Sequence, residues 1–387
     1  MTIAFYAPLK PPTHPVPSGD RRMARLLMAA LRHAGFSVDL CSRYRSFDGS
    51  GDRDRQIRIA ELADILVRRL TQRLQRLPKG ERPTAWFTYH LYHKAPDWFG
   101  SRIARALDIP YLVAEASHAP KQAGGPWDIG YQSAAASIDA AKRIFCFTAR
   151  DRAGLKDIVP ADRLVPVAPF LDARGLHGLS RDDARHQLAS RYGIPLDEPW
   201  LLAVGMFRPG DKLDSYKTLA AALSIVAGRT WQLLIVGDGA AQAEVRQSFA
   251  SLGVRIRYLG QQEEGALAQI YASADLMVWP AIREAYGMTL LEAQAAGVPV
   301  IAGTGTGVDA VVTSGRGGII VPATDKKLVA GLAAATAELL DNPHKRMALA
   351  NGARDMVRQH HDLPIAAAIL RKNLADLGVV PAEGGSS

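Results

Sequence analysis

A strand-turn-helix alternation fills the C-terminal half of the sequence. Short apolar runs at 200–204, 231–236, 254–259, 275–279, 298–302 and 318–321 are each followed by Gly or Pro, and most lead into a helix-length stretch. That alternation predicts a parallel sheet covered by helices on both faces. The N-terminal half repeats the pattern at 2–6, 37–41, 85–89, 111–115 and 143–147, separated by helical stretches such as 21–33 and 56–77. A chain of 387 residues exceeds the roughly 250–300 at which a single core stops growing, so two cores are expected. The fold class is therefore α/β, with two doubly wound, Rossmann-like domains. The expected seam lies near 171–174, after the strand-like 164–168. It gives an N-terminal domain at 1–172, a C-terminal domain at 173–375 and a small, polar, Gly-rich flexible tail at 376–387.

Composition excludes several classes. With 48% hydrophobic and 22% charged residues, 34 Gly and 23 Pro, neither disorder, collagen nor coiled coil fits. Cys41 and Cys146 form no CxxC pair, which argues against a disulfide framework or a zinc knuckle and for a reducing compartment. The first residues carry no basic lead-in, and no run approaches the about 18 apolar residues of a membrane span, so a cytoplasmic location is expected. The net charge of +9 is uneven: residues 1–175 carry 27 Lys and Arg against 17 Asp and Glu, residues 176–387 carry 20 against 21.

In open α/β sheets ligands sit beyond the carboxyl ends of the strands, so the loops there, and a cleft between two such domains, are where chemistry is expected. The most informative loop is Arg283-Glu-Ala-Tyr-Gly-Met-Thr-Leu-Leu-Glu292, followed by Ala-Gln-Ala-Ala-Gly-Val-Pro-Val-Ile-Ala302. A helix beginning near Gly287 would offer the backbone N–H groups of Gly287, Met288, Thr289 and Leu290 to an anion such as a diphosphate. Glu284 and Glu292 flank this site, where an acid suits sugar hydroxyls better than phosphate. Taken singly, each would read as a solvated acid.

Two glutamates with seven residues between them, in this setting, resemble the EX7E signature of family 4 glycosyltransferases, retaining enzymes of the GT-B fold. The similarity extends through Ile235-Val-Gly-Asp-Gly-Ala240, Leu259-Gly260, Gly305-Thr-Gly-Val-Asp-Ala-Val-Val312 and Gly318-Ile-Ile-Val-Pro-Ala-Thr-Asp325. The resemblance implies that Glu292 binds the ribose of a sugar nucleotide and that Glu284 contacts the transferred sugar. It also implies an arginine and a lysine after the first C-terminal strand, clamping the diphosphate and stabilising charge on the leaving group. Met206 stands at the common arginine position and Arg208 two residues later. Spacing from Gly205 favours Lys212 as the lysine, and helix register favours Lys217; Arg208 and Lys212 are the assignment, with Lys217 the alternative.

On the N-terminal side, His118, just past the strand 111–116, resembles the family histidine that faces the donor sugar. His90, after 85–89, is an acceptor-side candidate, and with His93 alone it makes no metal site. The family's glycine-rich first loop is reduced to Ser18-Gly19 in a Pro-rich stretch. Gly19 is retained as a point of close backbone approach and Asp20 as a helix cap. Gly237-Asp-Gly and Gly303-x-Gly-x-Gly307 mimic dinucleotide turns without their full spacing, and Asp52-Arg-Asp54 reads as surface.

The implied protein is a retaining, metal-independent glycosyltransferase with no cofactor, moving a sugar from a nucleoside-diphosphate sugar to a hydroxyl of a glycan or lipid-linked acceptor. A nucleotide-sugar epimerase or hydrolase and a non-catalytic nucleotide-sugar binding module are the rivals. Residues 43–82 hold 11 Lys and Arg against 6 acids. Leu62, Ile65, Leu66, Leu70, Leu74 and Leu77 are expected to be buried, with Arg69, Arg73 and Arg76 on an outer face. Such a face suits an anionic membrane or acceptor; nucleic acid is not implied, since no recognition motif accompanies the charge.

Overall fold

The computed structural model describes residues 1–381 apart from Pro17, His177, Thr306 and the side chains of Asp325 and Lys326. The chain divides into two compact units, Met1–Ala168 with Leu363–Ser387, and Pro169–Asp362. Residues 382–387 of the expected tail lie outside the described residues.

The N-terminal unit contains β1 (Thr2–Tyr6), β2 (Ser37–Leu40), β3 (Pro83–Leu91), β4 (Tyr111–Ala116), β5 (Arg143–Cys146) and β6 (Leu164–Pro166). Its helices are α1 (Gly19–His33), α2 (Arg53–Arg76), α3 (Gly100–Leu107), α4 (Asp128–Ala140) and α5 (Ala149–Ala153). The second unit carries α6 (Arg181–Tyr192), α7 (Asp211–Ile225), α8 (Gln242–Ser248), α9 (Glu264–Ser273), α10 (Met288–Ala295), α11 (Asp325–Asp341) and α12 (Pro343–Met356). These surround β7 (Trp200–Val204), β8 (Gln232–Val236), β9 (Ile256–Gly260), β10 (Leu276–Trp279), β11 (Val300–Gly303) and β12 (Gly318–Val321). The final helix, α13 (Leu363–Ala375), returns to the first unit.

Both sheets are parallel. Their orders are β2-β1-β3-β4-β5-β6 and β12-β11-β10-β7-β8-β9, so the winding reverses between β1 and β3 in the first and between β7 and β10 in the second. A doubly wound sheet leaves a crevice at the carboxyl ends of its strands where its direction reverses. The inner strands are buried because helices cover both faces, and β7, β8 and β10 have no exposed residue at all. In α1, Met23, Ala24, Leu27, Ala30 and Leu31 recur at helical spacing and are buried, while Ser18 rather than Asp20 caps the helix, its hydroxyl accepting from the Arg21 amide at 3.2 Å.

Three expectations change. Helix α13 packs on α1, so 363–375 belong with the N-terminal unit. Apolar periodicity shows that a helix has a buried face but not which sheet receives it. Residues 376–381 are not a free tail, since Val379 is buried and donates its amide to Leu374 O. In α2 the buried stripe is Ala63, Val67, Leu70 and Leu74, and Leu62 and Ile65 are 46% and 40% exposed. Among the described residues no helix is long and apolar enough to cross a membrane.

Candidate active site

At the reversal point of the second sheet, the loops after β7 and β10 meet. Glu284 and Lys212, 72 residues apart, form an ion pair there, with side chains 17% and 27% exposed. Trp279, the last residue of β10 and fully buried, supports both: its indole N–H donates to Glu284 Oε2 at 3.3 Å, and Lys212 Nζ lies 5.4 Å from its ring centroid. Tyr216 packs edge-on against the same ring at 4.9 Å and donates to Gly205 O at 2.8 Å, tying the two loops together. Of the alternative lysines, the structure brings Lys212 to Glu284; Lys217 is exposed farther along α7. Arg208 is exposed in the same loop.

The loop after β10 is held in an uncommon shape. Ala281 and Arg283 have φ of 57° and 47°, a region costing about 1–3 kcal/mol for a non-glycine residue. Glycines let the neighbouring segments close on this loop. A Cβ on Gly307 would lie 1.7 Å from Ala285 O, and one on Gly303 2.5 Å from Pro280 O. Gly237 and Gly239 likewise let the segment after β8 pack onto the carbonyls of Gly205 and Phe207, so this Gly-Asp-Gly is a backbone clasp.

Gly287, at φ 66°, caps the amino end of α10. The first amides of a helix have no partner within it, so Met288 and Thr289 stand where an anion is favoured. Leu290 does not join them: it is fully buried and its N–H donates to Gly287 O at 2.8 Å. Glu292 is buried as well, and its Oε2 accepts from Tyr271 Oη on α9 at 2.7 Å. Glu292 is thus a buried, oriented acid and not a solvated one, and Trp279 and Tyr271 are supports that no sequence motif marked.

In the N-terminal unit, His118 lies beyond β4, its Nε2 3.1 Å from Tyr131 Oη. Gly19 opens α1, with nothing within 4 Å of the position its Cβ would take. His90, near the end of β3, has Nδ1 3.0 Å from Asp20 Oδ1 and 3.7 Å from Glu115 Oε1. Asp20 therefore serves His90, where the sequence reading made it a cap; a lone acid near the end of the apolar strand Tyr-Leu-Val-Ala-Glu115-Ala was the available sign of this cluster. The Pro-rich loop before α1 is pinned by Arg21 Nη1 on His14 O and Arg25 Nε on Pro12 O. Among the described residues, no three His, Cys, Asp or Glu side chains are grouped to hold a metal ion.

Known proteins resemble this chain in its second unit and in its fold. Residues 198–342 match the family model for glycosyl transferases group 1. A D-inositol 3-phosphate glycosyltransferase of Thermomonospora curvata is 32% identical over 229 residues, 55% of this chain and 52% of that protein. The alpha-D-kanosaminyltransferase of Streptomyces kanamyceticus is 28% identical over 60% of this chain and 59% of that protein. The chain thus spans about half the length of the curated relatives it matches. Among solved structures, sucrose-phosphate synthase from Thermosynechococcus elongatus superposes with a TM-score of 0.71 at 22% identity, covering 97% of this chain and 99% of that one. Anabaena HepE, solved with UDP, gives 0.70 at 16% identity over 97% of this chain and 100% of that one. The chain has the GT-B fold of these solved structures, and its residues 198–342 are similar to the glycosyl transferases of group 1.

Proposed function

We propose that the protein is a retaining, metal-independent glycosyltransferase that moves a sugar from a nucleoside-diphosphate sugar to a hydroxyl of a glycan or lipid-linked acceptor. The observation that carries this reading is the Lys212–Glu284 pair beside the amino end of α10, at the reversal point of a sheet matched by the group 1 family. A cation, a helix amino terminus and two oriented carboxylates suit the three parts of one ligand. Lys212 and Arg208, with the amides of Met288 and Thr289, would hold the diphosphate. Glu284 would take hydroxyls of the transferred sugar and Glu292 those of the ribose.

In the free protein Lys212 and Glu284 neutralise each other, so donor binding exchanges their mutual contact for one with phosphate and one with sugar. Preorganised cations that meet charge developing on a leaving group supply a large share of transition-state stabilisation. That work would fall to Lys212, Arg208 and α10 in place of a metal. By the family resemblance, the departing diphosphate takes the acceptor proton and the sugar is delivered to the face it left, so no protein nucleophile is needed. His118 and Gly19 would lie toward the donor sugar and diphosphate, with the acceptor on the N-terminal unit. The exposed basic face of α2 would touch an anionic membrane.

A thermal-shift screen against sugar nucleotides tests the donor assignment. A ligand at about 100 times its Kd adds roughly 2.7 kcal/mol of stability. The expected result is stabilisation by one sugar nucleotide in the wild type and its loss in Lys212→Ala. Stabilisation by none of them, or equal stabilisation of both proteins, would overturn it.

A further inference from the structure

The N-terminal sheet carries a second constellation of titratable groups at its own reversal point. Asp20 comes from the first turn of α1, His90 from β3 and Glu115 from β4. The strands β3 and β4 pair Tyr89 with Ala114 and Leu91 with Ala116, which puts His90 and Glu115 at the same level on neighbouring strands. Both have positive φ, 60° and 59°. Two adjacent non-glycine residues in a left-handed conformation interrupt the strand alternation together, and such conformations persist only where the surroundings over-determine them. The carboxylates reach His90 on one nitrogen only: Nδ1 is 3.0 Å from Asp20 and 3.7 Å from Glu115, while Nε2 makes no hydrogen bond among the described residues. The side chain is 21% exposed, so part of the ring reaches solvent.

We propose that Asp20, His90 and Glu115 form the acceptor-hydroxyl site of this unit: His90, fixed through Nδ1 by the two carboxylates, donates through Nε2 to a hydroxyl of a saccharide or polyol acceptor. This rests on the glycosyltransferase reading above and gives it an acceptor chemistry. The carboxylates of Asp20, Glu115 and Asp151 outnumber the imidazolium and Lys10, so the cluster is net negative, which disfavours a phosphate and matches an uncharged hydroxyl. His90 is the contact group; Asp20 and Glu115 are positioning residues. The groups around the ring are Asp20 on α1, with Lys10 acting on it, Glu115 on β4, Asp151 on α5 and the phenols of Tyr89 and Tyr92. Burial alone would lower the imidazole pKa, but Glu115, Asp20 and Asp151 outweigh it and hold the proton above the ordinary histidine range. The donating form therefore persists as pH rises past that range and is lost only above it. Neutralising either carboxylate moves that loss to lower pH.

The test is proton–nitrogen correlation spectroscopy of the histidine rings in protein saturated with UDP or GDP, with myo-inositol and methyl α-glucoside as probes. One of these polyols should move the His90 Nε2 resonance in the wild type. Asp20→Asn and Glu115→Gln should each weaken that polyol about tenfold, the worth of one charge-assisted hydrogen bond. In both variants His90 should titrate at lower pH, while nucleotide-induced stabilisation stays at the wild-type level. A His90 resonance that neither polyol moves would overturn the proposal, as would wild-type polyol affinity in both variants. Absence of nucleotide stabilisation in the wild type would count against the donor reading alone, and the response of His90 to polyol would still decide this one.

Discussion

Asp275 shows how one carboxylate can join a helix to a strand. It precedes β10 and accepts from Arg185 Nη1 at 2.8 Å and from the Trp200 amide at 2.8 Å, while also pairing with Arg181. Arg185 is nearly buried; its other hydrogens go to the carbonyls of Ser273, Leu196 and Glu198, and its guanidinium lies 4.2 Å from the Trp200 ring centroid. Burial tends to raise the Asp275 pKa, but Arg181, the Trp200 amide and Arg185 hold it below the usual carboxylate value. A carboxyl whose folded pKa is depressed contributes stability above the unfolded value of about 3.9, lost as pH falls through the folded one. Asp275→Asn should cost roughly 2–4 kcal/mol at neutral pH by urea denaturation, and the difference from wild type should shrink in acid. The glutamates and Lys212 could be singled out as candidates because their spacing is written locally in one loop or one helix start. The Lys212–Glu284 contact and the Asp20–His90–Glu115 cluster were not, since each joins residues that only the sheet order makes neighbours.

Helix α2 illustrates the same limit for a whole element. Its extent was readable in outline, 56–77 against the observed Arg53–Arg76, but its cap was not: Asp52, read as surface, accepts from the Arg55 amide at 2.7 Å. Its buried side was not, because large aliphatics outweighed Ala63 and Val67 in the pattern. Leu62 and Ile65 instead share the outer face with exposed Arg58, Arg69, Arg73 and Arg76, a mixture suited to an anionic interface. Each basic residue near an anionic leaflet gains about 1 kcal/mol. Losing three of them should lower partitioning by roughly a hundredfold, and reversing their charge by at least that much. Co-sedimentation with anionic liposomes should show this for Arg69/Arg73/Arg76→Glu, and equal partitioning of variant and wild type would contradict it. For the loop carrying Glu284, the decisive neighbour is Gly307. Gly307→Ala places a methyl into Ala285 O and must displace that loop, so sugar-nucleotide stabilisation should drop while the rest of the unit stays folded by circular dichroism.

Over the whole molecule, the two doubly wound sheets were foretold by the alternation of apolar runs and turns, and their strand orders were not, since order depends on long-range pairing. The boundary moved because the chain passes into the second unit at Pro169 and leaves it at Asp362, where His361 Nδ1 lies 2.7 Å from Pro169 O. Only the tertiary structure pairs those distant points. The division also separates two charge regimes. The +10 excess is carried by residues 1–168, outside the unit that holds Lys212 and Glu284, so donor phosphate does not account for it. The account turns on those two residues acting on a sugar nucleotide. Sugar transfer and nucleoside-diphosphate release should be followed by nuclear magnetic resonance for wild type, Lys212→Ala and Glu284→Ala, with the donor found by thermal shift. The account predicts a product with the donor's anomeric configuration in the wild type and no detectable transfer in either variant; full activity in both variants, or an inverted product, would contradict it.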